Sequence, residues 1–274
     1  MTDDTLSVSI VQYAPVWEDV AASLLRLGDL LQPLKGKTDL ILLPEMFPTG
    51  FSTNVDKICS QENNILLLQW MYQQAQASKA MIAGSIAIKE NNSYYNRYYW
   101  IAPDGTTKHY DKHHLFSMSL EPKYFTSGNE PKQFEWRGWK IKPVLCYEIR
   151  FPEWCRNNRS NPYDILICAA SWPSVRSDVW ITLLKARAIE NQCYVAGVNR
   201  VGVDGAGLHH KGDSLVYSPK GEIIARIPEN EENTVTFEIS LSKMNDFRRK
   251  FPVLDDIDDL YNLHVSSRLQ SKHI

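Results

Sequence analysis

The stretch VLCYEIRFPEW, residues 144–154, runs from an apolar segment into a cysteine, then into mixed charges and a proline able to open a short helix. Read backwards, WKIKPVLC (139–146) is a strand whose last residue is Cys146. A thiol at a strand end, followed by a turn or helix start, meets backbone N–H groups that can lower its pKa and hold an oxyanion. That context favours a nucleophile. It equally suits a small buried strand residue such as Cys168 in DILICAAS (164–171).

Outward from this stretch the pattern alternates. LSVSIVQYA (6–14), DLILLPE (39–45), AMIAGSIAI (80–88), DILICAAS (164–171) and CYVAGVNR (193–200) read as strands. SYYNRYYWIAP (93–103) is an aromatic alternating strand, and PDGT (103–106) turns it toward a return strand at 108–110. Helices are expected over 18–34, 65–79 and 178–191, with a short one after Phe151, and SPKGE (218–222) makes a hairpin turn between two further strands. There is no linker, low-complexity tract or internal repeat, so one domain over 1–274 is expected. Strands separated by helices, with hairpins among them, predict an α/β layered fold with a mixed sheet. Many strands with both faces apolar predict two sheets packed together with helices outside.

The chain has 274 residues, 43% of them hydrophobic, enough for a sizeable core. Its net charge of −2 argues against a nucleic-acid partner. MTDDTLSVSIVQY lacks the basic start and apolar run of a secretory signal, and no segment reaches the ~20 apolar residues of a membrane span. Five cysteines without a CxxC pair argue against a disulfide framework or structural zinc, and a cytoplasmic location is expected.

Two more segments carry candidate chemistry. Glu45 follows the apolar LILLP in LLPEMFPTGF, at a strand end where α/β folds present functional groups. Apolar neighbours favour a raised pKa and a general base, while a solvated loop carboxylate is the plainer alternative. Lys112, in KHYDKHHLF, is either a surface lysine or a fixed cation that stabilises an oxyanion. The adjacent His113 and His114 keep a Cys–His arrangement open. His209 and His210 are adjacent without helical zinc-motif spacing, so no metal site is expected. Arg187 and Glu190, three apart on a helix, read as a structural ion pair.

Together, LLPEMF, YDKHHLF and VLCYEIRFPEW resemble the three signatures of the nitrilase superfamily of carbon–nitrogen hydrolases, in the family's order. EPKYFTSG (121–128), the segment 170–202 and HHKGDSLVYSPKGEIIA (209–225) extend the likeness to residues 6 to 250. The resemblance implies a four-layer α-β-β-α sandwich that pairs as a homodimer or larger homo-oligomer. It implies Glu45 as general base, Lys112 as oxyanion-stabilising cation, Cys146 as nucleophile, Glu121 as second carboxylate and the Tyr147 N–H as a further oxyanion donor, with no cofactor.

Within the superfamily, DKHHLF, CYEIRFPEW and SWPSVRSDVW look most like the omega-amidase branch, which cleaves the terminal amide of short dicarboxylic monoamides. The alternatives are a nitrilase, an N-carbamoyl hydrolase or a non-catalytic scaffold. A substrate carrying a far carboxylate calls for arginine. Arg150 and Arg176 are the candidates, and a structural ion pair is the alternative for each. Phe116 and Trp172 are expected to wall the pocket unless they simply pack in the core.

Overall fold

The computed structural model describes residues 4–257; of the expected 1–274 unit, residues 1–3 and 258–274 lie outside the described residues. The first run is β1 (Thr5–Gln12), α1 (Val20–Leu31), β2 (Leu40–Leu42), α2 (Val55–Ile58), α3 (Gln61–Ser78), β3 (Met81–Glu90), β4 (Ser93–Ile101) and β5 (Thr107–Asp111). The second is α4 (Glu121–Tyr124), β6 (Phe134–Trp136), β7 (Trp139–Leu145), a 3₁₀ turn (Cys146–Arg150), α5 (Pro152–Cys155), β8 (Ile165–Ala170), α6 (Ser177–Asn191) and β9 (Tyr194–Asn199). A hairpin of β10 (Val201–Val203) and β11 (His209–Lys211) follows, then β12 (Leu215–Tyr217), β13 (Ile223–Arg226), β14 (Asn233–Ser240) and α7 (Leu241–Lys250).

The strands form two six-stranded sheets, ordered β14-β1-β2-β3-β4-β5 and β13-β12-β9-β8-β7-β6. In both, three adjacent strands run parallel, β1-β2-β3 and β7-β8-β9, and every flanking pair is antiparallel. The two halves thus repeat one pairing scheme although the sequence shows no repeat. Strand pairing needs only alternation and buried bulk, and many unrelated sequences supply both.

Side-chain alternation sets the layers. Leu40 and Leu42 point into the core between the sheets, whereas Ile41 and Leu43 pack against α1 and α3 on the outside. Trp100 of β4 meets Phe134 of β6 across the inter-sheet space, with ring centroids 5.1 Å apart. On the far face, Trp180, Leu184 and Ala188 of α6 cover the second sheet. The result is the α-β-β-α sandwich the sequence predicts.

Element ends follow local chemistry. The Asp19 carboxylate caps α1 by accepting the Ala22 N–H at 3.0 Å. α3 begins four residues before the expected 65, because Ser60 caps the Asn63 N–H at 3.0 Å and the polar QENN joins the helix. β2 stops short of its expected end at 45: Pro44 has no N–H to give the ladder, and the chain turns there and lifts Glu45 off the sheet. Among the described residues no helix is long and apolar enough to cross a membrane.

Gly197 of β9 tests the α6 contact. A Cβ there would sit 2.3 Å from Leu184 Cδ1 and 2.8 Å from Trp180 Cζ2. Gly197→Val is expected to cost about 1–3 kcal/mol of stability, read as a lower urea midpoint at unchanged slope. An unmoved midpoint would show that α6 can shift away without loss.

Candidate active site

The site gathers at one edge of the sandwich, where strands from both sheets end. Glu45 follows β2, Lys112 follows β5, Cys146 follows β7 and Ser171 follows β8. In sheets of this kind the carboxyl ends of parallel strands are where loops are free to hold functional groups.

Lys112 is buried between two buried carboxylates. Its Nζ lies 2.8 Å from Glu45 Oε1 and 3.0 Å from each oxygen of Glu121. Burial opposes the charge on Lys112, but the Glu121 and Glu45 carboxylates outweigh it and hold the ammonium above its ordinary pKa. This lysine is therefore a fixed cation, and the surface alternative is excluded. Glu45 is likewise no loop carboxylate. Asn96 Nδ2 donates to its Oε1 at 2.8 Å and the Ser171 N–H donates to its Oε2 at 3.1 Å.

Asn96 is a residue that sequence reasoning missed. From the middle of β4 its Nδ2 also donates to Glu121 Oε1 at 3.2 Å, so one amide bridges both carboxylates. Its signal was available: a single amide side chain in the middle of the aromatic SYYNRYYW, most of which is buried. Glu121 Oε2 in turn accepts the Phe116 N–H at 2.6 Å, which fixes the loop leading into α4.

Cys146 is partly exposed, whereas the other four cysteines are buried. Its backbone is left-handed, with φ +45°, which is costly for a residue with a Cβ. Burial first, then the Glu45 charge, pushes the thiol well above its ordinary pKa, against the pull of Lys112 and the Ser171 N–H. The thiol thus keeps its proton at rest, with the Glu45 carboxylate in hydrogen-bonding reach to receive it. Cys168 sits behind, its Sγ 3.9 Å from the Cys146 carbonyl, as a core residue.

The histidines point elsewhere. His113 stacks on Trp154 at 4.2 Å and its Nδ1 bonds the Gly128 carbonyl. His114 stacks on Phe151 at 4.1 Å, and burial, then His113, pushes its pKa down to about 4. Both rings have packing roles, and neither bonds Cys146 among the described residues. Arg187 and Glu190 form the expected ion pair at 3.0 Å, and Arg187 also donates to the Ile149 carbonyl at 3.1 and 2.7 Å.

A cavity of about 400 Å³ opens onto these groups. Its lining brings together Glu45, Lys112, Cys146, Phe116, Tyr147, Arg150, Trp172 and Arg176, but not Glu121, which lies behind Lys112. The Arg150 guanidinium stacks over Trp172 at 4.7 Å and that of Arg176 over Phe116 at 5.9 Å. Neither pairs with a carboxylate among the described residues, so the structural ion-pair alternative falls for both. Trp172 serves core and wall together: it is buried, and its Nε1 donates to the Arg176 carbonyl at 2.8 Å.

Across the cavity, Trp17, Asp204, Leu208 and His210 form a wall that sequence reasoning did not find. Burial pushes the His210 pKa down to about 4, so this ring is neutral at physiological pH. No cluster of three or more His, Cys, Asp or Glu able to hold a metal occurs among the described residues.

A buried Glu–Lys–Glu network beside a partly exposed thiol, on a doubled α/β sandwich, defines a class of cysteine hydrolases in which carboxylate and lysine stand where histidine usually does. The sequence model of the carbon–nitrogen hydrolases matches residues 7–249, and the chain belongs to that family, within the omega-amidase branch of the nitrilase superfamily. Omega-amidase YafV of Escherichia coli K12 is 42% identical over 93% of this chain and 97% of its own. A 2-oxoglutaramate amidase of Bacillus subtilis is 37% identical over 81% of this chain and 86% of its own. A CN-hydrolase superfamily protein of Xanthomonas campestris, XC1258, superposes with a TM-score of 0.89 at 40% identity, over 93% of this chain and 98% of its own. Yeast Nit3, at 23% identity and a TM-score of 0.81, shares the fold.

Removing the cation should expose what the network costs. Lys112→Met leaves two carboxylates buried without a counter-charge and is expected to lose about 3–5 kcal/mol of stability at neutral pH. Denaturant unfolding of wild type and variant at pH 7 checks this, and an equally stable variant would show that the Lys112 ammonium adds nothing net to the stability of the fold.

Proposed function

We propose that this carbon–nitrogen hydrolase is an omega-amidase. Its substrates would be short dicarboxylic monoamides (2-oxoglutaramate, 2-oxosuccinamate, succinamate), cleaved to the acid and ammonia through a thioester on Cys146. The carrying observation is the pair of unpaired guanidiniums, Arg150 and Arg176, in the cavity that holds Cys146, Glu45 and Lys112. The E. coli relative is named an omega-amidase and the B. subtilis relative a 2-oxoglutaramate amidase, which supports the activity and the first of these substrates. We further propose that 1–274 is one domain, that it acts in the cytoplasm without metal or cofactor, and that it assembles as a homodimer or larger homo-oligomer.

The proposed chemistry follows from the charges. Glu45 takes the thiol proton as Cys146 Sγ bonds to the amide carbon. The carbonyl oxygen becomes an oxyanion and is met by the Lys112 ammonium and the Tyr147 N–H. Once Glu45 is neutral, Lys112 has one carboxylate fewer to satisfy and interacts more strongly with the new anion. Glu45 then gives its proton to the leaving nitrogen, the C–N bond breaks and ammonia departs. Water, deprotonated by Glu45, attacks the thioester, and the acid leaves as the thiol is restored. Glu121 holds Lys112 through both of its oxygens throughout.

Ammonia release from 2-oxoglutaramate and succinamate, against glutamine, asparagine, a nitrile and an N-carbamoyl amino acid, tests the substrate class. The monoamides should lead. A preference for the nitrile or the ureido acid would assign another activity on this scaffold. Cys146→Ala should abolish turnover, and Glu45→Gln should lose acylation, while His113→Ala and His114→Ala keep substantial activity. A dead histidine variant beside an active Glu45→Gln would restore the Cys–His alternative.

The arginines are tested by a ratio. In Arg150→Ala and Arg176→Ala, kcat/KM for succinamate should fall by about 2–4 kcal/mol in at least one variant, and far less for butyramide, which has no carboxylate to bind. A constant succinamate-to-butyramide ratio in both variants would remove both arginines from carboxylate recognition.

A further inference from the structure

We propose that Glu148 is a positioning residue that holds the Lys112 strand end and the Cys146 turn in register, an inference resting on the roles proposed above for those two residues. Glu148 lies two residues past Cys146 in the 3₁₀ turn and is fully buried. Its carboxylate takes four hydrogen bonds from two separate segments, 110–114 and Leu145. Oε1 accepts from the Tyr110 hydroxyl of β5, from the His113 N–H at 2.8 Å and from the His114 N–H at 3.1 Å. Oε2 accepts the Leu145 N–H at 2.7 Å.

Those donors flank the two reacting groups. His113 and His114 directly follow Lys112, and Leu145 directly precedes Cys146. β5 belongs to one sheet and β7 to the other, so the two segments share no strand ladder. Glu148 spans the gap, and Trp154 Nε1 supports it from behind by donating to the Tyr110 oxygen at 3.1 Å.

The Leu145 contact matters most. Cys146 is held at φ +45°, and such a residue relaxes unless its neighbours are fixed. Glu148 pins the N–H on its amino side. On the other side, Arg187 pins the Ile149 carbonyl with two bonds. The left-handed cysteine is thereby clamped at both flanks, and the amino-side clamp also fixes the backbone beside Lys112. A neutral amide cannot replace this carboxylate. Glutamine offers one oxygen, and its NH₂ would face backbone N–H groups that are also donors.

Three variants test the proposal, each assayed on whichever amide the wild type hydrolyses best, so that a wrong substrate class leaves the test intact. Glu148→Gln should lower kcat about a hundredfold with KM within about threefold, the pattern of misplaced reacting groups and not of lost binding. Glu148→Asp, which keeps the charge and two acceptor oxygens, should recover part of that loss. Tyr110→Phe removes one donor of four and should lower kcat less, again at constant KM. A crystal structure of Glu148→Gln should show Cys146 outside the left-handed region or Lys112 displaced from Glu45, a readout independent of substrate and turnover. An unchanged Cys146–Lys112 geometry, kcat within about twofold of wild type, or kcat and KM both altered only in step with lost folded protein would overturn the proposal. Should Glu148→Gln fail to fold, Tyr110→Phe decides: kcat within about twofold of wild type overturns it.

Discussion

The architecture turns on one buried cation. Lys112 is almost wholly removed from water, and burying an ammonium is favourable only where opposite charge and hydrogen bonds replace the lost solvent. Glu45 and Glu121 supply both, and their own remaining oxygen capacity is met by Asn96, Phe116 and Ser171. Five segments must therefore arrive within a few ångströms of one point, from β2, β4, the end of β5, the entry to α4 and the end of β8. Two facing sheets whose strands end at a common edge meet that demand, and the inter-sheet core keeps the edges aligned.

The same network sets the resting state of the Cys146 thiol. Burial and the neighbouring Glu45 both work against a thiolate at Cys146, and Lys112 works the other way with less effect. Burial and Glu45 accordingly keep the thiol protonated. A cysteine paired with histidine is often activated in advance, by losing its proton. In the mechanism proposed above the proton and the attack are coupled, because the acceptor becomes neutral only when the sulfur bonds to carbon. The thiol is then protected from casual alkylation and oxidation, chemistry that the thiolate undergoes and the thiol resists.

Much of this was legible in the sequence, because strand ends in apolar runs are easy to see. LILLPE, KHYDK and VLC each place a functional residue directly after alternating or continuous apolar residues, and the structure puts all three at the common edge. β14 was not read, although Val235, Phe237 and Ile239 alternate. Its partner β1 lies over 200 residues away in the chain, so no turn nearby marks it as a hairpin arm. Asn96 and Glu148 were missed for a related reason. Their importance lies in what their side chains touch, and the segments touched are 25 or more residues distant, apart from Leu145. By spacing alone, Glu148, Arg150 and Glu153 in YEIRFPE are equivalent charges. Three-dimensional contact sorts them into a brace, a cavity cation and a helix-terminus carboxylate.

The repeated pairing scheme explains why there is a single site at this edge. The strands β1-β2-β3 and β7-β8-β9 are matched in direction, yet their carboxyl ends carry different chemistry. β1 leads to Tyr13, whose hydroxyl is spent on the Phe47 carbonyl, while β7, its counterpart, leads to Cys146. β2 leads to Glu45, and its counterpart β8 leads to Ser171. The Ser171 N–H donates to Glu45, so the ends of the two central strands join across the sandwich. The first half thus supplies Glu45, Asn96 and the lysine, and the second supplies Glu121, the sulfur, the backbone donor and both cavity arginines. Neither half holds a complete set. The assembly of these groups in one place is therefore a property of the inter-sheet contact itself.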